Sequence, residues 1–225
     1  MSLIEYIISL YAPHNCIACD AETDTLLCPH CVDILSVVPP RCYRCKTVNR
    51  GIKTCNSCRS NTPISHVYVA TYYDDESARR LLHLVKYGRA RAGVQSMADC
   101  IMPRLQGMPV EAVLVPVPTA SSRVRQRGYD QSVLLAREIS ARTGRPVAHF
   151  LARLGQAHQV GAGRAERITH LKGAFRPLHT RSIRGTYVVL VDDVLTTGAT
   201  LETAARVLKA AGATQVDAIV FAQAG

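Results

Sequence analysis

Val188-Val-Leu-Val-Asp-Asp-Val-Leu-Thr-Thr-Gly-Ala-Thr-Leu201 reads as a buried strand, an acidic pair, a small-residue turn and a helix start in immediate succession. Val188 to Val191 form a short, mostly β-branched run of the kind a parallel strand covered on both faces requires. Helical character runs from Leu201 to Ala211 and stops at Gly212. Between strand and helix, Thr196, Thr197, Gly198, Ala199 and Thr200 offer hydroxyls and free backbone N–H groups at a helix N-terminus. A dianionic phosphate meets both donors and the positive end of the helix dipole there. Gly198 lets the backbone approach closely. Asp192 and Asp193 would repel that phosphate unless they bind another part of the same ligand, and ribose hydroxyls are the candidates. An ordinary turn capped by Thr and Asp explains neither the adjacent acids nor the Thr-Thr-Gly. The loop also lacks the Lys that a Walker A motif places after its second Gly.

The chain has 225 residues and 48% hydrophobic content, enough for one medium domain plus a small one with a buried core. No apolar run reaches bilayer-spanning length, and Met1 to Pro13 lacks the basic n-region and cleavage pattern of a signal peptide. A cytoplasmic protein without stable membrane insertion is expected. Leu3, Ile4, Ile7, Ile8 and Tyr11 fall at helical spacing, which predicts a short helix docked on the body, with an interfacial helix as the alternative. Residues 1–63 hold six basic and five acidic residues, so +9 of the net +10 lies in residues 64–225. Arginine far outnumbers lysine there, which suits bidentate contacts to pyrophosphate or nucleic acid.

Eight of the nine cysteines form four Cys-x-x-Cys pairs: Cys16/Cys19, Cys28/Cys31, Cys42/Cys45 and Cys55/Cys58. Two such knuckles supply the four thiolates of a tetrahedral structural zinc, so four knuckles suggest two zinc ions. Eight residues separate the first two pairs and nine the last two, like a duplicated short ribbon. The repeat favours sequential pairing; an interleaved cross-brace and a single filled site remain as alternatives. Catalytic zinc is disfavoured because a closed four-thiolate site has no open coordination position. Cys100 stands alone in an apolar helical context and reads as a core residue. Pro39-Pro40 separates the ribbon halves, and Asn61-Thr-Pro63 is the exit to the next domain, giving domains at 1–63 and 64–225.

From Ile64 the chain alternates strands and helices. Strands are predicted over His66–Tyr73, Val110–Val117, a short one at Pro146–Leu151, Val188–Val191 and Val216–Phe221. Helices are predicted over Ser77–Tyr87 and Gln131–Arg142. This series implies a mostly parallel α/β sheet that binds ligands beyond the carboxyl ends of its strands. Both Val115-Pro-Val-Pro118 and Val191-Asp-Asp193 end there.

Four apolar residues, two acids and Thr-Thr-Gly-x-Thr resemble the loop that binds 5-phosphoribosyl 1-pyrophosphate (PRPP) in type I phosphoribosyltransferases. By that resemblance Asp192 and Asp193 hold the 2′ and 3′ hydroxyls, and Val194, Leu195, Thr196, Thr197, Gly198, Ala199 and Thr200 bind the 5′-phosphate end. Pro118, Thr119, Ala120, Ser121, Ser122 and Arg123 occupy the position of the pyrophosphate loop. Further motifs extend the likeness over nearly the whole chain: the CxxC knuckles, Lys86-Tyr-Gly88, Arg127-Gly-Tyr-Asp-Gln131, Gln159-Val-Gly161, Arg164-Ala-Glu-Arg167 and Gly173-Ala-Phe175. Together they resemble the ComF family of competence-associated phosphoribosyltransferase-like proteins. That family commonly has Phe-Asn where this chain has Tyr129-Asp130, and Asn where it has His170.

The resemblance implies a type I phosphoribosyltransferase-like sheet flanked by helices, preceded by a small zinc-ribbon domain with all-cysteine metal sites. It also implies a mobile lid over Gln159–Phe175, from which Arg164 and Arg167 would neutralise the departing pyrophosphate together with Mg²⁺, while the catalytic acids Asp192 and Asp193 hold the ribose hydroxyls and reach Mg²⁺ through hydroxyls or water. The implied role is PRPP binding in natural competence, with single-stranded DNA and other competence proteins, such as a DNA helicase, as partners. Arg123, Arg125, Arg127, Arg164 and Arg167 are the candidate nucleic-acid contacts. A salvage enzyme acting on an unidentified base or amine is one alternative. An inactive nucleic-acid- or partner-binding module on the same scaffold is the other. With 5% aromatics and no Trp, an extended base-stacking platform has little support.

Overall fold

A computed structural model describes residues 14–35, 37–48, 54–88, 90–154 and 173–224. The expected N-terminal helix and most of the expected lid, Gln159, Gly161, Arg164, Glu166, Arg167 and His170 included, lie outside the described residues. The Cys-rich segment carries β1 (His14–Asn15), β2 (Glu22–Thr23), α1 (Pro29–Ile34) and α2 (Asn56–Arg59). The body follows with β3 (Val67–Tyr72), α3 (Glu76–Tyr87), α4 (Gly93–Ile101), β4 (Val113–Pro116), α5 (Ser121–Arg127) and α6 (Gln131–Thr143). It closes with β5 (Leu151–Arg153), β6 (Phe175–Pro177), α7 (Thr180–Ile183), β7 (Tyr187–Leu195), α8 (Ala199–Ala210) and β8 (Gln215–Gln223).

Val188, Val189, Leu190 and Val191 are fully buried, which is attainable only for a strand with neighbours on both edges and cover on both faces. Strand β7 accordingly lies inside a four-stranded sheet of order β3-β8-β7-β4, with every pairing parallel. The two-residue side-chain period sends Val189 and Val191 into one core and Val188 and Leu190 into the other. The first core is shared with α3, α4 and α6, the second with α8 through Leu201, Ala204, Ala205 and Leu208.

Each core also takes residues from the Cys-rich segment: Cys16, Leu27, Cys28, Cys31 and Leu35 in the first, Tyr43 in the second. The Leu27 amide donates to Ser96 Oγ of α4 at 3.1 Å, and Arg80 of α3 donates to the Ile17 carbonyl. Cysteine knuckles and sheet body are therefore packed through common apolar surface. Among the described residues no helix is long and apolar enough to cross a membrane.

Several element boundaries differ from the sequence expectation. Strand β7 continues through Asp192 to Leu195, because its backbone keeps pairing with β8 and its carboxylates find partners. Helix α8 starts at Ala199 rather than Leu201, since the left-handed conformation of Gly198 (φ 79°) turns the chain sharply enough to begin it there. Strand β4 starts at Val113, Val110 being 79% exposed and outside the sheet. The segment expected as a strand at 146–151 makes only a single bridge from Val147 to Leu114, and β5 begins at Leu151, paired antiparallel with β6. Ser121, Ser122 and Arg123, expected in the pyrophosphate loop, open helix α5. Cys100 is buried in α4, and desolvation pushes its thiol up to about 12, consistent with a core role.

Helix α4 approaches α3 so closely that a Cβ on Gly93 would lie 2.6 Å from Val85 Cγ2 and 3.2 Å from Leu26 Cδ1 of the Cys-rich segment. Gly93→Ala is expected to cost about 1–3 kcal/mol of stability by overpacking. Urea denaturation measures it, and an unchanged midpoint would contradict this contact.

Candidate functional site

Asp192 and Asp193 emerge at the carboxyl end of β7, with the Thr196–Thr200 turn directly beyond them. A pocket at this end is lined by Asp192, Val194, Leu195, Thr196, Gly198, Ala199, Thr200 and Leu201. Thr196 and Thr197 are exposed, and the first backbone N–H groups of the 12-residue helix α8 have no intrahelical acceptors. Hydroxyls, helix-terminal amides and a carboxylate are thus gathered around one small cavity. That set matches a sugar phosphate: the amides take the phosphate and the carboxylate takes hydroxyl donors.

The two acids have different environments. Asp193 is 6% exposed and accepts from Lys86 Nζ at 3.0 Å and Gln131 Nε2 at 2.9 Å. Arg127 in turn donates to Gln131 Oε1 at 2.6 Å, so a chain of donors runs from α5 through the first residue of α6 to the acid. Asp192 lines the pocket with its carboxylate surrounded by protein atoms; it accepts from Ser132 Oγ at 3.2 Å and from the Asp193 amide at 2.9 Å. Burial first, then the adjacent Asp193 carboxylate, push Asp192 up to about 7, against the pull of the Asp193 amide, Lys86 and Ser132. Asp193 is held by two donors, while Asp192 lines the pocket.

Pro118, Thr119 and Ala120 form the loop after β4, and Ser121, Ser122 and Arg123 form the exposed first turn of α5. Asp130 fastens this loop: it accepts from the Thr119 amide at 2.9 Å and Thr119 Oγ1 at 3.0 Å while capping α6 through the Ser132 amide at 3.1 Å. The Tyr129 hydroxyl donates to the Val85 carbonyl. Arg153 donates to the Pro118 carbonyl at 3.3 Å; burial first, then Arg123, lowers its pKa. Arg123 and Arg125 are exposed, whereas Arg127 is 7% exposed and committed to Gln131. Lys86, Gln131, Ser132 and Arg153 received no role from the sequence reading. Lys86 and Gln131 stood inside quoted motifs, but only the fold reveals the acid they share.

The cysteines gather sequentially. Cys16, Cys19, Cys28 and Cys31 form one cluster and Cys42, Cys45, Cys55 and Cys58 another, with the sulfurs of each within 4.8 Å of one another. Cys19 and Cys28 Sγ lie 3.7 Å apart, and Cys45 and Cys55 Sγ 3.5 Å apart, too far for disulfides. Hydrogen bonds from Thr47, then Cys55, bring Cys45 down to about 6. Desolvation, then Cys55 and Cys45, push Cys58 up to about 12. The four-sulfur donor set and its closed geometry fit structural zinc. Burial and the other three thiols likewise raise Cys31 in the first cluster.

Residues 112–225 match the phosphoribosyl transferase domain family, and the chain belongs to it. Competence protein ComFC of Bacillus subtilis is 38% identical over 96 residues, 43% of this chain and 38% of that one. DNA utilization protein YhgH of Salmonella typhi is 30% identical over 152 residues, 60% of this chain and 63% of its own. Competence protein F of Haemophilus influenzae is 29% identical over 124 residues, 54% of each chain. The matched stretches span less than two thirds of each relative. With the two cysteine clusters ahead of the phosphoribosyl transferase domain, these similarities make this a ComF-family protein.

Two measurements follow from the site geometry. Metal analysis of protein purified without chelator should return two zinc ions per chain, and Cys42→Ser should lose one. Two ions retained in that variant would contradict the second cluster. Because Asp192 is raised from 3.8 to about 7, its contribution to stability is fully present below about 4 and is lost as pH rises through about 7. Asp192→Asn should therefore gain stability relative to wild type as pH rises across that window, read as a widening gap in Tm. A gap that stays constant from pH 5 to pH 8 would contradict the assigned environment.

Proposed function

We propose that the protein binds PRPP at the carboxyl end of β7 and acts in natural transformation, handling incoming single-stranded DNA in the cytoplasm. The observation that carries the reading is the junction of Asp192 with the left-handed Gly198 and the open start of α8 around one pocket. Ribose 5-phosphate chemistry uses all three: the amides and hydroxyls of Thr196 to Thr200 hold the 5′-phosphate, and Asp192 accepts from the ribose diol. Asp193, fixed by Lys86 and Gln131, keeps the strand end in place.

In phosphoribosyl transfer the C1–oxygen bond to pyrophosphate weakens as positive charge builds on the ribose ring. Catalysis is then mostly orientation and neutralisation of the leaving group. The Pro118–Ser122 backbone and Arg123 are suited to the pyrophosphate, with Arg164 and Arg167 assigned to the lid. Mg²⁺, when bound with PRPP, supplies further charge neutralisation and is held mainly by ligand oxygens. Both zinc clusters are structural in this reading.

The DNA role is supported by the names of the relatives, which refer to competence and DNA utilization, and by the +9 charge on residues 64–225. Arg123 and Arg125 are the exposed described members of the proposed contact set, which also includes Arg164 and Arg167. Arg127, committed to Gln131, contributes to the field rather than to direct contact.

Calorimetry with Mg²⁺ present tests the ligand. The wild type should bind PRPP, and Asp192→Ala should bind it roughly tenfold weaker, the scale of one charge-assisted hydrogen bond. Equal affinity in the variant would contradict the assignment. Oligonucleotide titrations at two salt concentrations test the DNA reading. Affinity should fall with salt, and the slope should shrink by about 0.7 for each of Arg123→Ala and Arg125→Ala. Salt-independent binding would contradict a phosphate-contact mechanism.

A further inference from the structure

The second cysteine cluster touches the phosphate loop through one side chain. Tyr43, between Cys42 and Cys45, is 6% exposed, and its ring lies against Gly198: a Cβ built on that glycine would sit 3.2 Å from Tyr43 Cε2 and 3.6 Å from Cδ2. The Tyr43 hydroxyl donates to Glu202 Oε1 at 3.0 Å, on the first turn of α8, and is also bonded to Thr62 Oγ1. The Glu202 amide donates to the Gly198 carbonyl at 2.8 Å. Arg206 donates to Glu202 Oε2 at 3.4 Å, and Arg44, next to Tyr43, lies 3.8 Å from Glu202 Oε1. The turn and the first helical residues are thus gripped from the metal knuckle at two points, by the ring at Gly198 and by the hydroxyl at Glu202.

A phosphate loop works by presenting amides already aimed at the anion; a loop that must order itself on binding loses affinity by that amount. Thr196 and Thr197, at the start of this loop, are exposed. We propose that Tyr43 is a positioning residue for the phosphate loop, holding Gly198 and Glu202 so that the amides opening α8 are aimed before the ligand arrives. Whatever orders the Cys42–Cys45 knuckle also orders Tyr43, so the second metal cluster acts on the ligand site without touching the ligand. This rests on the phosphoribosyl reading of the loop.

Wild type, Tyr43→Phe and Tyr43→Ala are compared by calorimetry with Mg-PRPP and with Mg-pyrophosphate, by zinc content, and by the Gly198 amide resonance in NMR spectra. In Tyr43→Ala the ring current at Gly198 disappears, so that resonance should move. PRPP should bind about tenfold weaker because both grips on the loop are lost, while pyrophosphate binds as before. Tyr43→Phe keeps the ring but loses the hydroxyl bond to Glu202, so it should keep the resonance and bind PRPP with an affinity between those of Tyr43→Ala and the wild type. Glu202→Gln leaves the knuckle intact and should weaken PRPP binding even if Tyr43→Ala loses zinc. A Gly198 amide that does not move in Tyr43→Ala, or PRPP affinity unchanged in both Tyr43→Ala and Glu202→Gln, would overturn the positioning role. A wild type that binds no PRPP would instead overturn the phosphoribosyl reading, leaving the NMR result to report on the contact alone.

Discussion

Burying Asp193 at the end of the central strand obliges the protein to surround it with donors. An unpaired carboxylate in that position would cost several kcal/mol, and removing one partner of a buried pair typically costs about 3–5 kcal/mol. Lys86 from the end of α3 and Gln131 from the start of α6 meet this demand, and Arg127 holds Gln131 from behind. Three helices are thereby anchored to one strand end. Their anchoring brings Ser132 to Asp192 and, through the Asp130 cap, fixes the Pro118–Ala120 loop beside the same pocket. The geometry of the candidate site is a consequence of satisfying one buried charge.

The Cys-rich segment solves a different problem with a similar result. Its short elements, β1, β2, α1 and α2, contain too little apolar surface to fold on their own energy, which is where a structural metal is effective. Once formed, the segment lends residues to both cores of the sheet body, Leu27 and Leu35 on one face and Tyr43 on the other. The cysteine clusters are therefore packed into the sheet body, and the second cluster stands next to the turn that opens α8.

What was legible in the sequence was local. Val188–Val191, the acidic pair and Gly198 declare themselves because strand, turn and helix start are written in consecutive residues. The CxxC spacing pointed to the sequential grouping of cysteines because it repeats within a short segment. The contacts that define the site were not legible, because they join residues far apart in the chain: 62 positions separate Gln131 from Asp193, and 159 separate Tyr43 from Glu202. Arg127 shows the limit from the other side. Its place among Arg123 and Arg125 suggests solvated charge, and only the turn between α5 and α6 folds it inward onto Gln131. Helix α4 shows in the sequence only as a helical context around Cys100, without bounds, because Gly93, whose missing side chain allows close packing on Val85, weakens the helical signal at its start.

The central claim is that the end of β7 and the start of α8 together form a receptor for a phosphorylated ribose. A crystal structure grown with PRPP and Mg²⁺ tests it most directly. The account predicts the 5′-phosphate within hydrogen-bond distance of the backbone amides at Gly198 to Leu201, with the ribose hydroxyls on Asp192. Ligand bound only along the exposed arginines of α5, with the Thr196–Thr200 turn empty, would contradict it.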